Sequence, residues 1–221
     1  MKSLLLLFVL LGFLESCSQE DSLSYNECVV SLATVEQVVS SKDFLLKLDN
    51  DTVLYPVDNV VNTFEPVKLG RVLINYTILG KNQANGDYNY AIRLNDATNV
   101  VTKEITRFSD VLQDSLGNDP VNVSDCWIGS HFLNIAYSYY GANANHFISL
   151  VQIPSIVAGQ DADINLELRH NAYGDNSKNL YHNVISFDLR SLQLINTLPV
   201  KLMLKVKNLK GADTVYSLVY K

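Results

Sequence analysis

The residues with the clearest chemical potential lie close together in the segment Arg169-His-Asn-Ala-Tyr-Gly-Asp175. Asn171 and Asp175 offer oxygen ligands for Ca²⁺, and His170 with Asp175 offers a base and the group that orients it. The same segment is also typical of a hairpin turn, in which Asn171 and Asp175 bond their own backbone and Gly174 takes a positive φ. A calcium loop usually carries more carboxylates at alternate positions. We therefore favour the turn.

The histidines suggest a second kind of site, because all four lie in the second half of the chain: His131, His146, His170 and His182. Neutral imidazoles are good ligands for zinc or copper, so His146 and His170 could form a metal cluster with Asn171 and Asp175. The histidines lack i, i+2 or i, i+4 pairing, however, and histidines at strand ends more often make one hydrogen bond. We therefore predict no bound metal and no other cofactor.

No motif for nucleophilic catalysis is recognisable. The chain has no GxSxG sequence, and neither Cys28 nor Cys126 stands in a catalytic context. We predict a non-enzymatic protein without catalytic residues. Tyrosines could instead form a stacking surface for a sugar or peptide ring, although tyrosines on strands more often pack on the sheet. These are Tyr137, Tyr139, Tyr140, Tyr173 and Tyr181.

The elements that carry these residues follow a period of two. In 163–170 and 199–207, apolar residues alternate with polar ones, which is typical of half-buried antiparallel strands. The first group of strand candidates covers 28–39, 43–48, 52–57, 70–79, 87–95 and 100–105. The second covers 121–124, 131–140, 145–153, 163–170, 181–188, 199–207 and 214–220. Residues 189–196 form at most a helical turn.

The polar, Gly- and Pro-containing segment 109–120 separates the two groups. Five or six short strands suit a small barrel, and seven at regular spacing suit a sandwich. The sequence therefore predicts an all-β protein with a barrel over 28–110 and an antiparallel β-sandwich over 111–221. A composition of 48% hydrophobic and 18% charged residues suits packed cores. The net charge of −6, without a basic excess in either half, argues against a nucleic-acid partner.

The first residues of the chain are typical of a signal peptide. Lys2 precedes an apolar run over 4–13 that is too short to span a bilayer. Leu14-Glu-Ser-Cys17 resembles a bacterial lipobox, from which it departs at Glu15. The resemblance implies that residues 1–16 are removed and that Cys17 carries the lipid that attaches the protein to a membrane.

The residues that follow suggest a cellular location. Ser18, Gln19, Glu20 and Asp21 resemble the surface-export signal of lipoproteins of the Bacteroidota. This resemblance implies a location on the outer face of the outer membrane. The alternative is that 17–27 is simply an acidic, solvated tether.

Cys28 and Cys126 remain once Cys17 is assigned to the lipid. An exported chain meets an oxidising compartment, so these two residues could form a disulfide. Two cysteines far apart in sequence give no framework pattern, and zinc-site spacings are absent. Pairing is therefore the less favoured reading.

Segments scattered along the mature chain resemble the NigD-like lipoproteins of the Bacteroidota. The segments 43–56, 69–76 and 102–105 are similar to the N-terminal OB-like domain of that family. Those similar to its C-terminal β-sandwich are 127–135, 146–150, 168–171, 174–175 and 186–189. The resemblance implies an OB-like barrel followed by the sandwich. The family name derives from a gene beside a bacteriocin, which suggests immunity or secretion.

Three functions remain open from the sequence. The favoured one is a lipid-anchored envelope protein that binds an envelope protein, a peptide or a glycan. The alternatives are a bacteriocin immunity-like protein and a metal-dependent hydrolase that uses His146 and His170 of the second domain.

Overall fold

The computed structural model describes residues 27–83, 86–108, 113–142, 145–154, 163–175, 178–193 and 198–221. In the first part of the chain the strands are β1 (Cys28–Ser40), β2 (Asp43–Leu48), β3 (Val53–Asn59), β4 (Arg71–Lys81), β5 (Tyr90–Asn99), β6 (Val101–Glu104) and β7 (Thr106–Arg107). After the short helix α1 (Gln113–Leu116) come β8 (Asn122–Gly129), β9 (Phe132–Gly141), β10 (Phe147–Ile153), β11 (Ile164–Asn171) and β12 (Asn179–Asp188). The helix α2 (Arg190–Gln193), β13 (Val200–Lys207) and β14 (Asp213–Tyr220) complete the chain.

The signal segment 1–16, Cys17 and the export residues 18–21 lie outside the described residues. Among the helices that the structure describes, none is long and apolar enough to cross a membrane.

The first five strands form a closed barrel in the order β1-β2-β3-β5-β4. Strands β3 and β5 are parallel, and the other neighbours are antiparallel. The 13-residue β1 pairs with both β2 and β4, and its register with β2 shifts between Val35 and Gln37, where a bulge allows the long strand to bend. Alternate residues fill the interior, among them Leu46, Ile74 and Leu94.

The remaining strands form two sheets, β14-β13-β11-β10-β7 and β6-β12-β9-β8, which pack face to face. Their core includes Leu133, Leu150 and Leu204, which are fully buried. The predicted fold class, a small barrel followed by a sandwich, is confirmed. Three strand pairs of the sandwich are parallel, however, so the sheets are mixed rather than wholly antiparallel.

The predicted domain boundary at residue 110 requires correction. Strand β6 pairs with β12 and β7 pairs with β10, so both belong to the sandwich. The barrel ends at Val100, whose amide donates to the carbonyl of Arg71 at 2.8 Å. Alternation identified a strand over 100–105, but alternation does not say which sheet a strand joins.

A buried polar network joins the barrel to the sandwich. Arg71 of β4 has a fully buried side chain and forms an ion pair with Asp49, Nη1 to Oδ1, at 2.8 Å. Its guanidinium also donates to Thr34 Oγ1 at 2.8 Å and to Asn134 Oδ1 of the sandwich at 3.1 Å. The Phe132 ring lies 4.9 Å from the guanidinium carbon. One cation of the barrel thus contacts polar groups of both domains and an aromatic ring of the sandwich.

Asp49, in the turn between β2 and β3, is the anion of this network. Its Oδ2 accepts from Trp127 Nε1 at 3.0 Å and from Asn134 Nδ2 at 3.2 Å. Gly129 lets the carboxylate approach β8, because a Cβ on Gly129 would lie 2.0 Å from Asp49 Cγ. Ser186 completes the network by donating to Asn134 Oδ1 at 2.7 Å. We call the group of Arg71, Asp49, Thr34, Asn134, Trp127 and Ser186 the junction network.

Candidate functional site

One end of the sandwich brings together the chemistry that the sequence suggested. His146 precedes β10, and His170 lies near the end of β11 in the same sheet. Tyr139 and Tyr181 face this end from β9 and β12 of the opposite sheet, where they are register partners. Asp175 follows the turn after β11. Four strand ends thus position these residues, although the residues are far apart in sequence.

The two histidines contact each other directly. His146 Nδ1 lies 2.8 Å from His170 Nε2, and His170 Nδ1 lies 3.1 Å from the Pro120 carbonyl. On the other side, His146 Nε2 lies 3.4 Å from Asp175 Oδ2. The His146 side chain is only 2% exposed, so the pair is shielded from solvent. We call His146, His170 and Asp175 the histidine cluster.

The acceptors around His170 determine where its proton lies. A carbonyl oxygen only accepts, so Nδ1 of His170 carries the proton donated to Pro120. Nε2 of neutral His170 is then the acceptor for Nδ1–H of His146. Burial is the largest cause of a lowered pKa of His170, and it outweighs the carbonyl of Pro120, which favours the charged form. The interior therefore holds His170 neutral near pH 7.

The predicted turn at 171–175 is present. Asn171 Oδ1 accepts from the amide of Tyr173 at 2.9 Å, and both Tyr173 and Gly174 have a positive φ. The amide of Asp175 donates to the carbonyl of Ala172 at 2.9 Å within this turn, and its side chain also makes longer-range contacts. Its Oδ2 accepts from the amide of Ala142 at 2.6 Å and faces His146, so it links this turn to the end of β9.

Asn171 points away from the histidine cluster and donates to the carbonyl of Ser115 at 2.9 Å. His131 contacts the hydroxyl of Tyr220 at 3.2 Å, and His182 is exposed on β12. Across the ranges that the structure describes, no three His, Cys, Asp or Glu side chains are placed to hold a metal ion. Two imidazoles whose nitrogens bond each other do not direct both lone pairs to a common point.

Aromatic rings continue the cluster into the sandwich. The Tyr139 ring stacks on His146 with centroids 4.3 Å apart and contacts Tyr137 and Tyr181 at 6.0 and 5.8 Å. Burial raises the pKa of Tyr137 to about 12. Burial is also the largest cause of the raised pKa of Tyr139. Tyr137 and Tyr139 therefore pack internally, and Tyr140, Tyr173 and Tyr181 are the exposed tyrosines of this end.

An open depression of about 630 Å³ lies beside the histidine cluster. It is lined by Asp119, Pro120, Tyr140, His170, Ala172, Gly174, Asp175, Lys178 and Leu209. Its size falls in the usual range for small-ligand sites. An aromatic ring and an aliphatic side chain supply apolar surface, and charges of both signs surround it. We call this feature the sandwich depression.

The disulfide considered from the sequence does not form. Cys28 lies on β1 of the barrel, where its Sγ is 3.8 Å from Thr77 Oγ1. Cys126 lies on β8 and packs against the sandwich core. Both are free thiols in different domains. Burial is the main cause of the raised pKa of the Cys126 thiol.

Two protein-family models match the barrel and the sandwich of this chain. A model described as the NigD-like N-terminal OB domain matches residues 32–100, and one described as the NigD-like C-terminal beta sandwich domain matches residues 104–220. The chain belongs to the NigD-like family. A comparison with curated proteins gives no match.

Solved structures share the fold of this NigD-like chain. A protein of Parabacteroides distasonis described as toxin-related is 29% identical, with a TM-score of 0.75 over 88% of this chain and 94% of the other. A NigD-like immunity protein of Bacteroides caccae is 19% identical, with a TM-score of 0.68 over 90% and 100% of the two chains. A protein of Bacteroides fragilis described as a lipoprotein is 13% identical, with a TM-score of 0.64 over 88% and 99%.

Sequence reasoning missed part of the depression in this NigD-like chain. Asp119 accepts from the amide of Ala172 at 2.7 Å and forms one wall, although it belongs to the segment 109–120 that the sequence indicated only as a separator of the two strand groups. Lys178 and Leu209 come from connections whose position depends on the whole sandwich. The sequence carried one usable signal, which was the run of tyrosines 137, 139 and 140 on a single strand.

Proposed function

We propose that this NigD-like chain is a lipid-anchored protein of the outer membrane that binds a peptide segment of an envelope partner without catalysis. The sandwich depression carries the proposal. Tyr140 and Leu209 supply apolar contact, and Lys178 with Asp119 and Asp175 supplies both charges. A peptide, with its alternating donors, acceptors and side chains, matches such a surface. The described lining residues include no serine, threonine or cysteine that a base could activate.

Site-specific crosslinking in living cells tests the binding role. A photoreactive amino acid replaces Tyr140, which is 47% exposed in the depression, or Val215, which is 54% exposed on β14 as a matched control. We expect a crosslinked partner at position 140 and none at position 215. Equal products at both positions, or none at either, would contradict a binding role for the depression.

The lipid anchor is supported by the sequence of residues 4–17 and by the similarity to a protein described as a lipoprotein, and the surface location is supported by the sequence of residues 18–21. Protease treatment of intact cells that carry an epitope-tagged copy tests them. We expect digestion in the unmodified chain, loss of membrane attachment in Cys17→Ala, and protection in a Glu20→Ala, Asp21→Ala double variant. Protection of the unmodified chain in intact cells, with digestion after lysis, would place the protein in the periplasm.

Immunity is a second candidate, because similar structures are described as an immunity protein and as toxin-related. In this reading the envelope partner is a bacteriocin or its target. A deletion strain challenged with bacteriocin-producing relatives is expected to lose survival and to regain it with the unmodified gene. A Tyr140→Ala, Lys178→Ala variant should fail to restore it, whereas Lys210→Ala in the β13–β14 turn should succeed. Equal survival with and without the gene would end this reading.

A further inference from the structure

The barrel carries a second depression, of about 410 Å³, which the sandwich site does not involve. It lies over β2 and β3 and is bordered by the end of β1 and by the connection between β4 and β5. Its lining residues are Gln37, Val39, Asp43, Phe44, Leu45, Tyr55, Gly86, Asp87 and Tyr88. We call it the barrel depression.

Two tyrosines form the aromatic part of this depression. The rings of Tyr55, on β3, and Tyr88, just before β5, lie with centroids 5.1 Å apart and planes inclined at 41°. Both side chains are half-buried, so each ring retains accessible surface. Val39, which is 68% exposed, extends the apolar surface. A ring of this kind can stack on the apolar face of a flat or cyclic ligand.

Hydrogen bonds fix the segment that presents Tyr88. The amide of Asn89 donates to the carbonyl of Val53 at 2.7 Å, and Asn89 Oδ1 accepts from the amide of Val53 at 2.7 Å. Asn82 Nδ2 donates to the carbonyl of Tyr88 itself at 3.0 Å. A Cβ on Gly86 would lie 2.6 Å from Asn82 Nδ2, so glycine allows this close approach. The tyrosine pair is therefore preorganised, which lowers the entropic cost of binding.

The polar groups of the depression identify the ligand class. Asp43, Asp87 and Gln37 surround the rings, and the described lining residues contain no lysine or arginine. Asp43 lies beside the Tyr55 hydroxyl, and its charge is the largest cause of the raised pKa of Tyr55. Carboxylates without a neighbouring lysine or arginine disfavour the binding of phosphate, sulfate and carboxylate ligands, because like charges repel. The same carboxylates and amide are suitable acceptors and donors for hydroxyl groups.

The strand order β1-β2-β3-β5-β4 adds an independent argument from fold analogy. In OB-type barrels the face of the second and third strands, with the adjoining β1–β2 and β4–β5 connections, binds oligonucleotides or oligosaccharides. The barrel depression occupies this face. Its carboxylates exclude the first of the two ligand classes, since nucleic-acid binding requires basic groups.

We propose that the barrel depression binds a neutral oligosaccharide, with Tyr55 and Tyr88 stacking on a sugar ring and Asp43, Asp87 and Gln37 bonding its hydroxyls. This site is separate from the sandwich depression, so the two can succeed or fail independently. A glycan site on an anchored protein would fix the orientation of the sandwich on a polysaccharide-covered surface.

Affinity electrophoresis tests the proposal with the full mature chain carrying Cys17→Ala. The gels contain one of three neutral polysaccharides (dextran, galactomannan or yeast mannan) or anionic heparin. We expect at least one neutral polysaccharide to retard the chain and heparin to have no effect. Tyr88→Ala should weaken the retardation about tenfold, as should Asp87→Asn, while Tyr88→Phe, which keeps the ring, should retain most of it.

Tyr173→Ala is the matched control, because Tyr173 is an exposed tyrosine of the sandwich and should leave the retardation unchanged. Thermal melting of each variant verifies that the barrel is folded. Absence of retardation by all three neutral polysaccharides overturns the proposal, as does retardation that survives Tyr88→Ala in a folded chain. Binding to poly-lysine that disappears at high salt, without binding to any polysaccharide, would assign the depression to a cationic partner instead.

Discussion

The molecule contains two buried polar clusters, and they differ in how completely their charges are paired inside the protein. In the junction network, Arg71 meets an anion and two neutral oxygens, while Asp49 accepts from three residues. In the histidine cluster, two imidazole rings form a chain of hydrogen bonds that ends beside an open depression. The first arrangement locks two domains together. The second leaves titratable groups at a solvent boundary, where a ligand or a change of pH can act on them.

Substitution of Arg71 is the most direct test of the junction network. Arg71→Leu removes the buried cation and leaves Asp49 facing polar groups without its charge partner. We expect the free energy of unfolding to fall by about 3 to 5 kcal/mol, the usual cost of breaking a buried ion pair from one side. Urea unfolding followed by tryptophan fluorescence is a suitable measurement, because Trp127 donates to Asp49 and reports on the junction.

Arg93→Ala is the matched control for Arg71→Leu. Arg93 also pairs with an aspartate, Asp58, but both side chains are substantially exposed, at 51% and 41%. Such a pair contributes at most about 1 kcal/mol. If the two variants lost equal stability, the junction network would not be what holds the domains together.

A smaller perturbation of the junction leaves every polar group in place. Gly129→Ala puts a methyl group where the Asp49 carboxylate lies, so the carboxylate or β8 must shift. We expect a loss of about 1 to 3 kcal/mol, which is typical of an overpacked site. The control is Gly80→Ala, since a Cβ at Gly80 meets nothing within 4 Å. Comparable unfolding midpoints for the two variants would count against a tight approach at Gly129.

The two clusters also differ in how far the sequence could predict them. Period-two alternation predicted nearly all strands to within a few residues, because burial on one face imposes that pattern directly. The segment 169–175 was identified as a turn from its Asn, Gly and Asp residues, for the same local reason. The contact between His146 and His170, by contrast, depends on the register of β10 against β11, which no local pattern specifies.

The junction network was not predictable at all from local sequence. Arg71 begins a strand and Asp49 lies in the polar Asp49-Asn50-Asp51 turn, and nothing in their local sequence indicates that the two side chains meet. Their burial follows from how the barrel packs on the sandwich. The sequence placed residues 101–107 in the barrel rather than in the sandwich for the same reason, since the pattern of a strand does not reveal its partner. Long-range pairing is the information that one sequence lacks.

Acidification should destabilise the protein by acting on the histidine cluster. Burial depresses the pKa of His170 in the folded state. The neutral ring therefore contributes fully to stability above the pKa of the unfolded state, which is near 6.5. This contribution is lost as the pH falls through the lower pKa of the folded state. The titratable groups His146, Asp119 and Tyr139 lie beside His170, and Asp175 contacts His146. We expect unfolding free energy to decline from about pH 7.5 to about pH 5, by less than in the junction variants, since one pKa unit corresponds to about 1.4 kcal/mol.

Urea titrations at both pH values, with His170→Asn and His182→Ala as variants, separate this effect from general acid destabilisation. His170→Asn should have a weaker pH dependence than the unmodified chain. His182→Ala changes an exposed histidine of β12 and should keep the full dependence. A pH dependence that is unchanged in His170→Asn would remove His170 as the responsible group.

The smallest effect is expected at Cys28 and Cys126, the two residues that could have formed a disulfide between the domains. Because Cys28 and Cys126 are free thiols in different domains, a reductant should leave the melting midpoint unchanged. A thiol reagent should modify the exposed Cys28 at once and Cys126 more slowly, since Cys126 is half-buried and burial raises its pKa. A midpoint that falls on reduction in the unmodified chain, but not in Cys28→Ser, would reveal a disulfide. With both thiols free, the attachment of barrel to sandwich depends on packing and on the junction network, and this makes Arg71 the residue whose loss should separate the domains.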